Sequence, residues 1–200
     1  MSQIKISMII QKLATIDNSN IVLLRNKEVL QWIFNDLSYL EKITKQYEDK
    51  WGQEIMKMKR PDLKLDKQWT NRFGEYVTEE IMTLLGNKVF KPIKKEHLQP
   101  DWETEDCILE VKTQTYLTPG TAGEKILGTP FKYAGIPRLY NKSLKIICLG
   151  NAEKLSRENY GNLPGIKMNE EKKKIIEFYK NELNIEYIGI TDLLKEFIKK

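Results

Sequence analysis

Two hundred residues are enough to bury a core and fold unaided, and few enough to fit one domain or a domain with a small appendage. With 40% hydrophobic and 30% charged residues the chain reads as globular, which excludes a disordered or fibrous protein. Its 33 basic against 28 acidic residues leave a net charge of +5, a mild bias toward an anionic partner such as nucleic acid. No apolar run approaches the roughly 20 residues needed to span a bilayer, so no membrane-spanning helix is expected. Met1 to Ile10 is too short and too polar for a signal peptide, and a cytoplasmic location follows as the expectation. Cys107 and Cys148 both lie in apolar runs with no CxxC or Cys/His cluster, which predicts packed thiols and no zinc site.

Residues 1 to about 70 read as helical. Ile4, Met8, Ile9 and Leu13 recur at helical spacing, Asp17-Asn18-Ser19-Asn20 breaks the run, and Val29, Ile33, Leu37, Leu40 and Ile43 continue an amphipathic pattern. Trp32, Trp51 and Trp69 are expected as core anchors, since their spacing gives no base-stacking platform. The run Lys57, Lys59, Arg60, Lys64, Lys67, Arg72 is the most basic interval, and reads either as a phosphate track or as an exposed loop. Tyr76, Val77, Glu80, Ile81, Leu84 and Leu85 then form an apolar stripe closed by Gly86, which predicts a helix over 71–86. Lys88 to Ile93 reads as a first strand, and Lys94 to His97 as a polar turn. His97 has no partner that would give it general-base work.

The stretch Gln99 to Gln114 carries the chemistry. Cys107, Ile108, Leu109 and Val111 form a short apolar run like a buried strand, separated by a tight polar connection from the extended step Pro100-Asp101. Side chains alternate faces along a strand, so Glu110, Lys112 and Gln114 share one face while Leu109 and Val111 point into the core. An antiparallel neighbour would bring Asp101 alongside Glu110. Charge on a core strand is costly unless paired or bound to a metal. Two carboxylates suit a hard cation such as Mg²⁺, which keeps water ligands able to attack a phosphodiester, with Lys112 beside that water or the phosphate. Acid-any-Lys strings also occur at Glu48-Asp49-Lys50, Asp62-Leu63-Lys64, Glu170-Glu171-Lys172 and Glu171-Lys172-Lys173, and a second Pro-Asp at Pro61-Asp62. Only Glu110-Val111-Lys112 stands in an apolar, strand-like run with a Pro-Asp one short turn upstream.

This arrangement resembles the PD-(D/E)XK nuclease superfamily, with Pro100-Asp101 as the first half of the motif and Glu110-Val111-Lys112 as the second. The resemblance implies Asp101, Glu110 and Lys112 as catalytic residues. It implies Mg²⁺, with Mn²⁺ able to substitute, held by Asp101, Glu110 and the Val111 backbone carbonyl. An acid on the preceding helix often reaches such a metal, and Glu75 occupies the matching place; it reads equally as an exposed helix acid favoured by the N-terminal dipole. Gln114 is a candidate for positioning the phosphate or the attacking water.

After Gln114 the strand is expected to run on to Tyr116. Pro119 and Gly120 turn the chain, and a helix is expected from near Thr121 whose Gly/Thr-rich entry offers backbone N–H groups to a phosphate. The segment is similar to one that follows the catalytic strand in some type II restriction endonucleases, which implies DNA contacts from Thr121, Lys125 and Lys132; a plain structural turn explains its glycines equally well. Leu144 to Gly150 is a buried strand, 168–182 an amphipathic helix with exposed lysines, Ile185 to Ile190 a strand, and Leu193 to Ile198 a closing helix capped by Thr191.

The order from Asn71 is helix, three strands, helix, strand, helix, strand, helix, an α/β arrangement with a mixed sheet flanked by helices. The resemblance implies a restriction-endonuclease-like mixed β-sheet core over 71–200, with 1–70 as a helical extension packed on it. It also implies a type II restriction enzyme, a sequence-specific endonuclease acting on double-stranded DNA to leave 5′-phosphates, working as a homodimer alongside a companion DNA methyltransferase. Within the superfamily the alternative is a structure-specific repair nuclease or Holliday junction resolvase. From another class, the alternative is a non-catalytic basic nucleic-acid-binding module.

Overall fold

Apolar periodicity and polar breaks set the helices of the first third. In the computed structural model, which describes residues 2–63, 69–118 and 122–200, α1 (Ser2–Ala14) stops before the polar break at Asp17. Helix α2 (Lys27–Ile33) starts where the Asn26 side chain accepts the Glu28 N–H, and α3 (Lys45–Lys59) and α4 (Trp69–Leu84) follow. The amphipathic run expected from Val29 to Ile43 ends early. Asn35 takes a left-handed φ of 59° and the Asp36 side chain accepts the Ser38 N–H, so local polar bonding replaces the helix and Ile43 is left exposed.

The tryptophans form the centre of this layer, as core anchors. Trp32 is in ring contact with Trp51, Trp69, Phe73 and Tyr116 at centroid distances of 5.1 to 6.3 Å. Each buried indole N–H meets an acid: Trp32 donates to Glu48, Trp51 to Glu28 and Trp69 to Asp49. Large aromatic area is thus buried with no indole donor left unpaired.

Four strands form one mixed sheet in the order β1 (Trp102–Glu103), β2 (Cys107–Gln114), β3 (Ser143–Gly150), β4 (Ile185–Gly189). The β1–β2 pair is antiparallel, with Trp102 opposite Leu109; β2–β3 and β3–β4 are parallel. The strand expected over Lys88 to Ile93 is reduced to a single bridge between Phe90 and Glu103. Pro92 cannot donate to a ladder and Ile93 is exposed, so the apolar residues there never become a paired edge. Strand β2 ends at Gln114, short of Tyr116, because the Tyr116 and Leu117 N–H groups donate to Glu48 on α3.

One helix was expected between β2 and β3, and three short ones stand there: α5 (Ala122–Leu127), α6 (Thr129–Lys132) and α7 (Ile136–Tyr140). Pro130 and Pro137 each sit in a first turn and restart the helix. After β3 come α8 (Asn151–Leu155), one π-helical turn (Ser156–Tyr160) and α9 (Glu170–Leu183); α10 (Ile190–Lys199) follows β4 directly. Thr191 lies inside α10, so it is not the cap; its hydroxyl donates to Glu153 instead.

Alternation sorts the sheet residues onto two cores. Leu109, Ile147 and Leu149 pack with α1–α4 and α10, while Ile108, Ile146 and Cys148 pack with α5–α8. Both cysteines are buried and free. Among the described residues no helix is long and apolar enough to cross a membrane.

Candidate active site

The antiparallel register that sets Trp102 against Leu109 sets Asp101 against Glu110, and the Asp101 N–H donates to the Leu109 carbonyl at 3.1 Å. Beyond this point β1 has no further residue to pair, and the Asp101 side chain fills the gap: its Oδ2 accepts the Val111 N–H at 2.6 Å. The N–H and C=O of one strand residue point to the same side, so the Val111 carbonyl faces this edge as well. Glu110 Oε1 accepts from Lys112 Nζ at 2.5 Å, as their shared face allows. The structure therefore brings Asp101, Glu110, Lys112 and the Val111 carbonyl to one point, on a strand whose first four residues are buried.

Two observations mark the point as chemically unsettled. Glu110 is 6% exposed, and its Oε2 has no hydrogen-bond partner among the described residues. Orphaned buried acceptors are rare in proteins because each forfeits its hydration. In addition, burial first and the Glu110 carboxylate second push the Asp101 carboxyl up to about 7, so the pair resists carrying two charges at once. A divalent cation would relieve both conditions, and two carboxylates with a backbone carbonyl form an all-oxygen set suited to a hard ion. No group of three or more His, Cys, Asp or Glu side chains converges among the described residues, so a cation here would complete its shell with the carbonyl and water.

Glu75 lies on the wall of the same cleft but is engaged elsewhere. Its Oε2 is 3.1 Å from Arg72 and 3.0 Å from Lys91. It borders the carboxylate pair as part of an ion-pair cluster, and its charge adds to the upward push on Asp101. Gln114 is on the Glu110 face and lines the cleft; its Oε1 is buried without a partner, as is Thr113 Oγ1 on the opposite face. The cleft holds about 620 Å³ and runs from Asp101 past Lys112 toward Thr115, Thr118 and Lys125. Lys125 is exposed at its rim; Lys132 is exposed, lies over the Tyr133 ring and is not among the residues lining the cleft. Thr121 falls outside the described residues.

Two participants escaped sequence reasoning. Tyr133 is buried at the end of α6, its ring 5.9 Å from Lys112 Nζ; burial and the adjacent Glu110 carboxylate raise its phenol well above the ordinary range, so it keeps its proton. Lys91, in the misassigned strand, donates 3.0 Å bonds to Glu75 and to the Asp101 carbonyl. Neither has a local signal, because both arrive across the fold. The basic interval divides: Arg60 pairs with Asp62 and stacks on Tyr76, and Arg72 pairs with Glu75, while Lys64 and Lys67 lie outside the described residues.

Position α4 explains the tight fit of the wall. Gly74 packs directly on Thr113, and a methyl group there would run into the Thr113 hydroxyl and crowd Val111. Only glycine lets the helix approach β2 closely enough for Glu75 to offer its carbonyl to the Trp102 indole N–H at 2.8 Å. No protein-family model, curated protein or solved structure matches this chain.

Proposed function

We propose that the chain is a Mg²⁺-dependent DNA endonuclease of the PD-(D/E)XK, restriction-endonuclease-like type, most specifically a type II restriction enzyme cutting double-stranded DNA to leave 5′-phosphates. The observation that carries this reading is the pairing of Asp101 with Glu110 across an antiparallel register, with Glu110 Oε2 unpartnered and Lys112 alongside. A mixed four-stranded sheet flanked by helices, with a short antiparallel pair beside two parallel strands, supports the reading, while two strands and a single bridge stand where the resemblance implies three strands.

In this reading Asp101, Glu110 and the Val111 carbonyl would hold Mg²⁺, which would supply Lewis acidity and a more acidic water. The chain's own residues do the rest. Lys112, one-fifth exposed at its side chain, reaches a phosphate oxygen or orients the nucleophile from its place beside Glu110. Gln114 Oε1, unpartnered in the cleft, accepts a hydrogen bond from an incoming water or hydroxyl. Tyr133 keeps bulk water off the buried side of Glu110. Lys125 lines the opening and is exposed there, and Lys132 is exposed one short helix on, both suited to flanking phosphates.

The test is cleavage of plasmid DNA with Mg²⁺ by the wild type and by Asp101→Ala and Lys112→Ala. Discrete bands from the wild type are expected, with each substitution lowering the rate by about a thousandfold or more while folding and DNA retention persist. Undiminished cutting by either variant removes the mechanism. A wild type that cuts four-way junctions and spares plain duplex moves the assignment to a resolvase.

A further inference from the structure

We propose that Lys91 is a positioning residue that fixes the Asp101 carboxylate against β2. Its ammonium is held from three sides: Glu75 Oε2 at 3.0 Å, the Asp101 backbone carbonyl at 3.0 Å, and the face of the Trp102 ring at 3.7 Å. Two of its N–H bonds are thus committed to oxygens and its charge to an indole, which leaves it poorly placed to take a phosphate. Glu75 closes the arrangement by accepting the Trp102 indole N–H at its own carbonyl, and Arg72 steadies its carboxylate.

The consequence lies in chain mechanics. Asp101 follows Pro100 and precedes a strand only two residues long, so β1 alone gives it few ladder bonds. Beyond the Asp101 N–H bond to the Leu109 carbonyl, what keeps its carboxylate within 2.6 Å of the Val111 N–H is the Lys91 bond to the Asp101 carbonyl on one side and the locked Trp102 on the other. Lys91 comes from the segment that forms only one bridge to β1, which gives that irregular segment a purpose. Outer groups of this kind commonly change metal affinity by about 10 to 100-fold when removed.

A positioning role and a purely electrostatic role predict opposite signs. Deleting a positive charge beside a cation site should tighten metal binding by Coulomb attraction alone. Loss of a clamp should weaken it. The inference rests on the nuclease reading only for its metal arm, and the experiment separates the two. In the metal-free full chain, Lys91→Met is expected to speed hydrogen exchange of the Val111 amide by about tenfold while the amides of β3 stay unchanged. Binding of Mn²⁺ alone, followed by its spin resonance, is expected to weaken by about tenfold in the same variant and to recover to within about threefold in Lys91→Arg. As a second route, Glu75→Gln should speed Val111 exchange in the same direction by a smaller factor; a Glu75 that served as a metal ligand would instead weaken Mn²⁺ without touching Val111. Unchanged Val111 exchange in Lys91→Met, or tighter Mn²⁺ binding, overturns the proposal. Faster Val111 exchange in a protein whose wild type binds no Mn²⁺ supports the clamp and removes the metal-dependent nuclease.

Discussion

Glu48, Glu80 and Glu153 are as buried as Glu110, yet the two kinds of site are built on opposite terms. Glu48 accepts from the Trp32 indole and from the Tyr116 and Leu117 N–H groups. Glu80 accepts the consecutive N–H groups of Val22, Leu23 and Leu24, and Glu153 those of Thr191 and Arg157. Every oxygen of these three is met, and each ties together segments far apart in sequence. At the cleft one oxygen of Glu110 is met by Lys112, the other makes no hydrogen bond of good geometry although the Tyr133 phenol stands beside the carboxylate, and a second carboxyl stands opposite. Structural glutamates close a network, whereas this pair leaves one open: neutral groups of Tyr39, Thr78 and Asn162 are also buried without partners, but among the described residues Glu110 Oε2 is the one buried carboxylate oxygen in that state.

The comparison can be broken most severely at Glu48. Glu48→Ala would leave one buried and two partly buried donors without their acceptor and is expected to cost about 3 kcal/mol, read as a drop in the denaturant midpoint. Glu48→Gln, which keeps an acceptor oxygen, should cost distinctly less. A smaller effect is expected from Gly74→Ala: the added methyl pushes α4 off Thr113 and should lower stability by about 1–3 kcal/mol while also reducing cleavage, since the Trp102 anchor moves with the helix. Equal stability of the variant would show that the close approach is not required.

The smallest effect has the opposite sign. Asp101→Asn removes the like-charge neighbour of Glu110 and is expected to stabilise the metal-free protein at pH 8, on the order of 1 kcal/mol, while abolishing cleavage. The sign follows from proton linkage. The folded carboxyl titrates near 7, above its ordinary 3.8, so between those values the folded chain holds a proton that the unfolded chain has released. Its stabilising contribution is present in full below pH 3.8 and is lost as pH rises through about 7. Burial also pushes Glu80 up to about 7, with the same sign, but wild type and variant share it; the difference between their melting curves from pH 5 to 8 isolates Asp101. A constant difference across that range would mean that Asp101 is ordinary.

The candidate site was legible where it is local. Leu109 and Val111 on one face and Glu110 and Lys112 on the other follow from two-residue alternation, and the antiparallel return of Pro100-Asp101 from the short polar connection between the strands. Helix α4 was legible from its stripe and β3 from its unbroken apolar run. What stayed hidden depends on tertiary choices. Val89, Phe90 and Ile93 have the apolar content of a strand, but pairing needs a partner edge, and β1 offers one bridge. The short helices between β2 and β3 hide Tyr133 because their spacing is reset twice by proline. Asn35 ends α2 through its own backbone conformation, a choice that apolar periodicity does not register.

The Glu48 carboxylate, finally, makes the first helices a mechanical part of the cleft. It grips the chain two and three residues beyond Gln114, so the far end of β2 is moored to α3 as its near end is moored to β1. A nick or deletion ahead of Trp69 would therefore loosen the floor under Lys112 from behind, and damage to the N-terminal layer would register first as lost chemistry and only afterwards as lost shape.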